Sequence, residues 1–316
     1  MSPSDSPRLI LATRGSPLAL AQANLTRGLL LARDGGFDIA IEAMRTTGDK
    51  FLDKPLADIG GKGLFTKELD EALLAKRAAF AVHSMKDLPT RLPDGLALVA
   101  MLEREDPRDV WIGRAGAQLA DLAPGALVGT ASLRRGAQIL DKRPDLRVGI
   151  FRGNVQTRLK KLAAGEAEAT LLALAGLHRL NMKVGEGDLA GARILGLDEM
   201  LPAPGQGAIG IVCRDDDTAT RELLAPLDHA ATHGAVTAER GALAALDGSC
   251  RTPIAAFAET DGAQISLQVA IFSRDGKITH RTARSGLMRD ALAMGLDAGG
   301  ELRRKAGPNF FAELVQ

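Results

Sequence analysis

Residues 8–36, RLILATRGSPLALAQANLTRGLLLARDGG, decide the reading of the fold. RLILAT is a short apolar run of strand length. It ends at Arg14-Gly15-Ser16-Pro17, where Ser16 suits a helix cap and Pro17 the first helical position. The run that follows has the spacing of a helix, and Gly35-Gly36 stops it. FDIAIEAM then alternates as a strand. Residues 46–64, TTGDKFLDKPLADIGGKGL, read as a long mobile loop rich in glycine (Gly60, Gly61, Gly63). TKELDEALLAKR follows as an amphipathic helix, AAFAVHSM as a buried strand and KDLP as a turn. Strands alternating with helices predict a mostly parallel sheet.

The same grammar returns after Pro107. ALVGTAS is a strand, Ser132 a cap and LRRGAQILDKR a helix. LRVGIF, the turn RGN, the helix VQTRLKKLAAGE and the buried strand EATLLALAGL follow. ATRGSPLAL and GTASLRR echo each other as strand, turn and helix, which predicts two related α/β domains facing a shared cleft. LPAPGQGAIGIVC is a Pro/Gly-rich crossing into a strand that is a candidate to return to the first domain. From about residue 229 the pattern changes to one helix, alternating segments and a terminal helix, a small α+β domain. The expected boundaries are 1–103 with a return segment 207–226, then 107–202, then 229–316.

Bulk composition narrows the function. The 316 residues carry 40 basic and 39 acidic side chains, a net charge of +1, which excludes a nucleic-acid binder working by bulk charge. Aromatics are 3% with no Tyr, so stacking platforms for single strands are also lacking. No apolar run has the length of a membrane span, and MSPSDSPRLILATRGSPLAL lacks the pattern of a leader, so the expected location is cytoplasmic. Cys213 and Cys250 do not form a CxxC pair, and His229 and His233 lack the glutamate and third ligand of a metal motif. No metal is expected. The positive charge itself is uneven: 28 Arg against 12 Lys, with residues 128–161 holding nine basic residues and two acids.

Arg14, Arg134, Arg135, Arg152 and Arg158 all fall at strand-to-helix junctions or in the first turns of helices. Those ends bind ligands in open α/β sheets, and helix N-termini there favour anions. Arginine adds a forked donor matched to carboxylate or phosphate. Lys142, Arg143, Lys160 and Lys161 read instead as solvated faces. Lys86 and Asp87 lie at another strand end, either as a catalytic acid and base or as a surface ion pair. Cys250, in DGSCRTP, sits between turn residues beside Arg251, which favours thiolate; it is a covalent site or incidental. Cys213 lies in the apolar run AIGIVC and reads as a buried small hydrophobe. GGKG at 60–63 is neither a Walker A nor a GxGxxG pattern and reads as a flexible lid carrying Lys62.

Taken together, ATRGSPLALAQ, TTGD, GGKGLFTKEL, AVHSMKDLP, EREDPRD, GTASLRR, RGNVQTRL, LPAPGQGAIGI and the loop GSC resemble the porphobilinogen deaminase (hydroxymethylbilane synthase) family, in its order and spacing over the whole chain. The resemblance implies two periplasmic-binding-protein-like domains and a third bearing the cofactor cysteine. It implies a transferase that condenses four porphobilinogen molecules with loss of ammonia and releases the linear tetrapyrrole hydroxymethylbilane by hydrolysis. A dipyrromethane cofactor would be held by a thioether to Cys250. Asp87 would be the catalytic aspartate, stabilising cationic pyrrole species. Carboxylate groups would be bound by Arg14, Ser16, Lys86, Ser132, Arg134, Arg135, Arg152, Arg158 and Arg179, with Lys62, Thr130 and Gln206 at further motif positions. A monomer is implied, with the growing oligopyrrole as its partner. Gly15, Ala131 and His178 depart from residues common at those positions. Two other readings are a small-anion-binding protein without catalysis and the effector domain of a transcription regulator. The first has no use for Cys250 and would call for a leader; the second would call for an N-terminal helix-turn-helix.

Overall fold

The computed structural model describes residues 8–33, 35–50, 63–246 and 252–315. Within them the chain divides into two units, one from residues 8–33, 35–50, 63–104 and 208–233, the other from 105–207, 234–246 and 252–315. In chain order the first unit holds β1 (Arg8–Arg14), α1 (Pro17–Arg33), β2 (Asp38–Met44), α2 (Thr47–Lys50), α3 (Lys67–Leu74), β3 (Phe80–Ser84) and β4 (Leu96–Met101). The second continues with β5 (Asp109–Gly113), β6 (Leu127–Gly129), α4 (Leu133–Lys142), β7 (Arg147–Gly149), α5 (Val155–Ala163), β8 (Ala169–Ala173), α6 (Leu174–Arg179) and β9 (Arg193–Ile194). β10 (Ile209–Arg214) and α7 (Thr218–Leu224) belong to the first unit. The rest of the chain forms α8 (Ala230–Ala245), β11 (Ile254–Thr260), β12 (Gln264–Phe272), β13 (Thr279–Leu287) and α9 (Ala291–Val315).

The fold is mixed α/β, with two five-stranded sheets of the same design and a three-stranded antiparallel sheet backed by helices. The first sheet runs β2-β1-β3-β10-β4, and the second β7-β6-β8-β5-β9. In each, three neighbouring strands are parallel and the fourth runs against both of its neighbours. In each, too, the fourth strand comes from outside the local run: β10 follows β9 in sequence, and β5 precedes β6. Parallel neighbours put the C-terminal ends of β1, β2 and β3 on one edge of their sheet, and those of β6, β7 and β8 on one edge of theirs. Every junction singled out in the sequence is on such an edge.

Local chemistry explains the helix starts. Ser16 Oγ accepts from Ala19 N at 3.3 Å, Ser132 Oγ from Arg135 N at 3.4 Å and Asn154 Oδ1 from Thr157 N at 2.8 Å. Leu11, Phe80, Ile209 and Ile211 form the first sheet's core, and Trp111, Val128, Leu171 and Ile139 that of one face of the second.

Two expectations are corrected. Thr46 to Lys50 are not a mobile loop: Thr46 and Gly48 are buried, and Thr47–Lys50 is a helical turn bonded to α3. EATLLALAGL is strand only to Ala173; the chain then turns into α6. β13, THRTARSGL, has no apolar face to announce it, since its alternate residues are only half-buried. The expected small C-terminal α+β domain carries the three-stranded sheet, where Ala255, Ala270 and Phe272 pack with Ala137 of α4 and Leu201. Its β12–β13 turn seats on α4 through Gly276 at φ +74°, where a methyl group would come within 2.4 Å of Asp141 N.

Candidate active site

In the first unit, Arg14 ends β1 and Asp87 closes the 3-10 turn (Met85–Asp87) after β3. Because β1 and β3 are parallel neighbours, both residues arrive at the same sheet edge. Arg14 Nη1 lies 3.9 Å from Asp87 Oδ2, with the two side chains 23% and 37% exposed. The pair is open enough to meet a ligand. Arg14, Ser16, Gln22, Phe65, His83 and Asp87 line one pocket. Lys86 is exposed on the same turn.

Two neighbours of Asp87 carry chemistry that the sequence did not flag. Gln22 Nε2 donates to Ser84 Oγ at 2.9 Å, which ties α1 to the end of β3. His83 is 5% exposed, and its Nε2 has no hydrogen-bond partner among the described residues. Burial first, and the charge of Arg14 second, push the imidazole down to about 4. It is therefore neutral at physiological pH. The signal for it was a histidine in the middle of the apolar run AAFAVHSM.

In the second unit the arginines divide. Arg134 and Arg135 open α4, but their guanidinium groups turn inward to Asp109, the first residue of β5. Arg134 Nη2 donates to Asp109 Oδ2 at 2.7 Å, and Arg135 Nη2 to Oδ1 at 2.6 Å, with the arginines 5% and 6% exposed and Asp109 0%. Arg134 Nη1 also donates to Leu201 O, and Arg135 Nη1 to Leu171 O. Gln206 Nε2 completes the cluster, donating to Asp109 Oδ1 at 2.9 Å and to Pro107 O at 2.7 Å. Burial opposes the Asp109 carboxylate, yet the charges of Arg134 and Arg135 hold it well below the usual range. Most donors of Arg134, Arg135 and Gln206 are thus committed inside the protein. Within this cluster Arg134 Nε is buried with no partner among the described residues.

Ser132 Oγ caps α4, and Thr130 Oγ1 accepts from Ser132 N at 3.1 Å. Arg152 is buried after β7, and Arg158 Nε donates to Gly153 O at 2.9 Å. Arg179 Nη2 donates to Gly207 O at 2.6 Å, and burial brings this guanidinium down to about 10. His178, a departure from the family pattern, meets Glu105 at 3.1 Å. Lys62 and Cys250 lie outside the described residues.

The presumed solvent-facing cations are corrected at one position. Arg143 pairs with Asp145 at 2.7 Å and donates to the carbonyls of Leu119 and Leu122 at 2.8 Å, so it fastens the end of α4 to the loop before β6. Lys160 is exposed, Lys142 is exposed and Lys161 meets Glu166 at 3.7 Å. His229 and His233 bond to Thr232 and Asp228 at 2.9 and 2.8 Å. Cys213 is buried, and burial pushes its thiol up to about 11.

Comparison with known proteins bears on both units. Residues 9–222 match the family model described as "Porphobilinogen deaminase, dipyromethane cofactor binding domain", and residues 234–304 match "Porphobilinogen deaminase, C-terminal domain". The chain is 53% identical over 313 residues to the chloroplastic porphobilinogen deaminase of Oryza sativa subsp. japonica, covering 96% of this chain and 86% of that protein. It is 52% identical to the porphobilinogen deaminase of Nitrobacter hamburgensis, covering 95% and 94%. Among solved structures, the LysR family regulator CbnR aligns at TM-score 0.43 and 16% identity over 71% of each chain. A Salmonella typhimurium periplasmic binding protein of high arginine specificity aligns at 0.42 and 15% identity over 70% of this chain and 91% of that one. With both of its family models matched and half its residues shared with relatives over nearly its full length, the chain belongs to the porphobilinogen deaminase family.

Proposed function

We propose that the chain is a transferase that joins four porphobilinogen molecules head to tail, releases four molecules of ammonia, and hydrolyses the product free as hydroxymethylbilane. The observation that carries this reading is the open Arg14–Asp87 pair at a sheet edge, in a member of this family. Porphobilinogen brings an acetate, a propionate, a pyrrole N–H and an aminomethyl group. Arg14 at the same edge suits a carboxylate of the substrate, each charge-assisted hydrogen bond contributing roughly 1.5–3 kcal/mol. The Asp87 carboxylate accepts from the pyrrole N–H and faces the positive charge that develops as the carbon–nitrogen bond breaks and ammonia departs. The proton lost from the attacking pyrrole carbon needs an acceptor at the same place, which Asp87 supplies.

The donor set also fits the family's dipyrromethane group. Arg152 and Arg158, at the end of β7 and the start of α5, are cations of the type that suits a group bearing several carboxylates, and Arg134 Nε is a buried donor without a partner among the described residues. We assign Arg134, Arg135, Arg152, Arg158, Ser132, Thr130, Lys86 and Gln206 to holding or positioning it, and Cys250 to its thioether link. When bound, the group supplies the pyrrole carbon on which the product is started. Arg14, Ser16, Arg179 and Lys62 are assigned to the incoming substrate. We read the working form as a cytoplasmic monomer with no nucleic-acid partner, in keeping with a net charge of +1. No helix among the described residues is long and apolar enough to cross a membrane.

Intact mass tests the assignment. The active protein is expected to exceed its sequence mass by a dipyrromethane adduct that Cys250→Ser removes and Cys213→Ser leaves in place. An active protein of unmodified mass would overturn the cofactor assignment, and a dimer in light scattering would overturn the monomer.

A further inference from the structure

Two motif segments, TTGD at 46–49 and GLFTKEL at 63–69, have no part in the chemistry above. The structure fastens one to the other. Thr47 donates twice to Glu68 Oε1, from its backbone N at 2.8 Å and from Oγ1 at 2.6 Å. Gly48 N donates to Leu64 O at 2.8 Å. Thr66 N and Lys67 N both donate to Gly63 O at 3.0 Å, closing the turn that carries Phe65. The ring of Phe65 fills the space a side chain would need at position 48: a methyl group there would lie 2.3 Å from Cε1 and 2.5 Å from Cδ1. On the pocket side, the guanidinium carbon of Arg14 stands 4.2 Å from the centre of the same ring. Arg14 in turn approaches Asp87 at 3.9 Å.

Gly48, Phe65 and Arg14 therefore form a stack that ends at the Arg14–Asp87 pair. We propose that Phe65, seated on Gly48, is a positioning residue that fixes the plane of the Arg14 guanidinium beside Asp87. The Thr47–Glu68 latch holds the seat in place. The inference rests on the reading that Arg14 and Asp87 serve the reaction. Physically, a long arginine side chain has many rotamers, and an aromatic face attracts and flattens the guanidinium into one of them. A misplacement near 1 Å in an active site is enough to cost about 100-fold in rate. Lysine at position 14 would keep the charge but lose the planar stack.

A double-mutant cycle tests this, read as kcat and KM separately, with melting temperature and adduct mass recorded for each variant. Arg14→Lys and Phe65→Leu are each expected to lower kcat/KM by about 2- to 30-fold, the span of a cation–π contact. With Lys at 14, Phe65→Leu is expected to cost little more. Gly48→Ala is expected to lower kcat/KM in the wild-type background and to have little further effect beside Phe65→Ala. Phe65→Trp, which keeps an aromatic face, is expected to recover part of the loss seen with Leu. Costs that multiply independently in both cycles, with melting temperatures and adduct mass unchanged, would overturn the positioning role. Full activity in Arg14→Lys would instead overturn the reading of Arg14 on which it stands. If Gly48→Ala proves unfolded, the Phe65–Arg14 cycle decides alone.

Discussion

Two aspartate–arginine clusters in this chain use the same residue types to opposite ends. In the first unit, Arg14 and Asp87 stand 3.9 Å apart, with exposures of 23% and 37%. In the second, Arg134 and Arg135 clasp Asp109 at 2.7 and 2.6 Å, with the aspartate fully buried. The first lies part-exposed at a sheet edge, its two groups in a longer, looser contact. The second spends its capacity on Asp109, Gln206 and the carbonyls of Leu171 and Leu201, binding β5, β8, α4 and the crossing segment together. Burial and contact distance, not residue type, separate the two clusters.

Removing Asp109 is the severest challenge to that contrast. Asp109→Ala leaves two buried guanidinium groups without a counter-charge and is expected to cost about 3–5 kcal/mol of stability. Urea titration followed by circular dichroism measures it; a loss below about 1 kcal/mol would erase the distinction between the clusters. Asp87→Asn is expected to leave stability almost unchanged and to reduce kcat by roughly 100- to 10,000-fold, the range of a removed acid–base group. Near-normal turnover would remove Asp87 from the reaction.

A smaller effect concerns pH within the first unit. Burial raises the carboxyl of Asp70 on α3 from 3.8 to about 6, with the charges of Glu68 and Glu71 adding to the rise. Its charged form is the costly one, so its contribution to stability is full below pH 3.8 and is lost as pH rises through about 6. His83 works in the other direction: its neutral form is favoured, so stability is full above 6.5 and lost as pH falls through about 4. The two slopes oppose each other over the same range. Asp70→Asn is expected to stabilise the protein at pH 7 by up to about 2–3 kcal/mol and to uncover the acid-side loss from His83. A variant whose stability stays flat between pH 6.5 and 4 would contradict the burial of that histidine's charge.

The smallest effect sharpens the comparison among the cations of the basic segment. Arg143→Ala is expected to lower the melting temperature, since its contacts to the carbonyls of Leu119, Ala120 and Leu122 are lost with its ion pair. Lys160→Ala, on an exposed face, is expected to stay within about 0.5 kcal/mol. Equal melting temperatures for the two would return Arg143 to the solvated class.

Much of this was legible before any coordinates. Ser16 and Ser132 announce their helices because a cap is a local bargain between one side chain and a backbone N–H two or three residues on. β13 was not legible, because THRTARSGL has no apolar face and is a strand only by pairing along its length with β12. The same limit applies to the site. Arg14 and Asp87 could be named from strand ends, whereas Asp109, His83 and Phe65 gained their roles from partners 25, 69 and 51 positions away in sequence: Arg134, Arg14 and again Arg14.

By itself, then, the sequence determined the alternation of strands and helices, the strand-to-helix junctions where Arg14, Arg134, Arg135 and Arg152 sit, and the family. These follow from period, capping and motif order, which are properties of neighbours along the chain. Only the tertiary structure decided which arginines lie at an open sheet edge and which are buried against a carboxylate. That choice depends on burial and on the direction each side chain takes, and both are set by residues far apart in sequence that the sheets bring together.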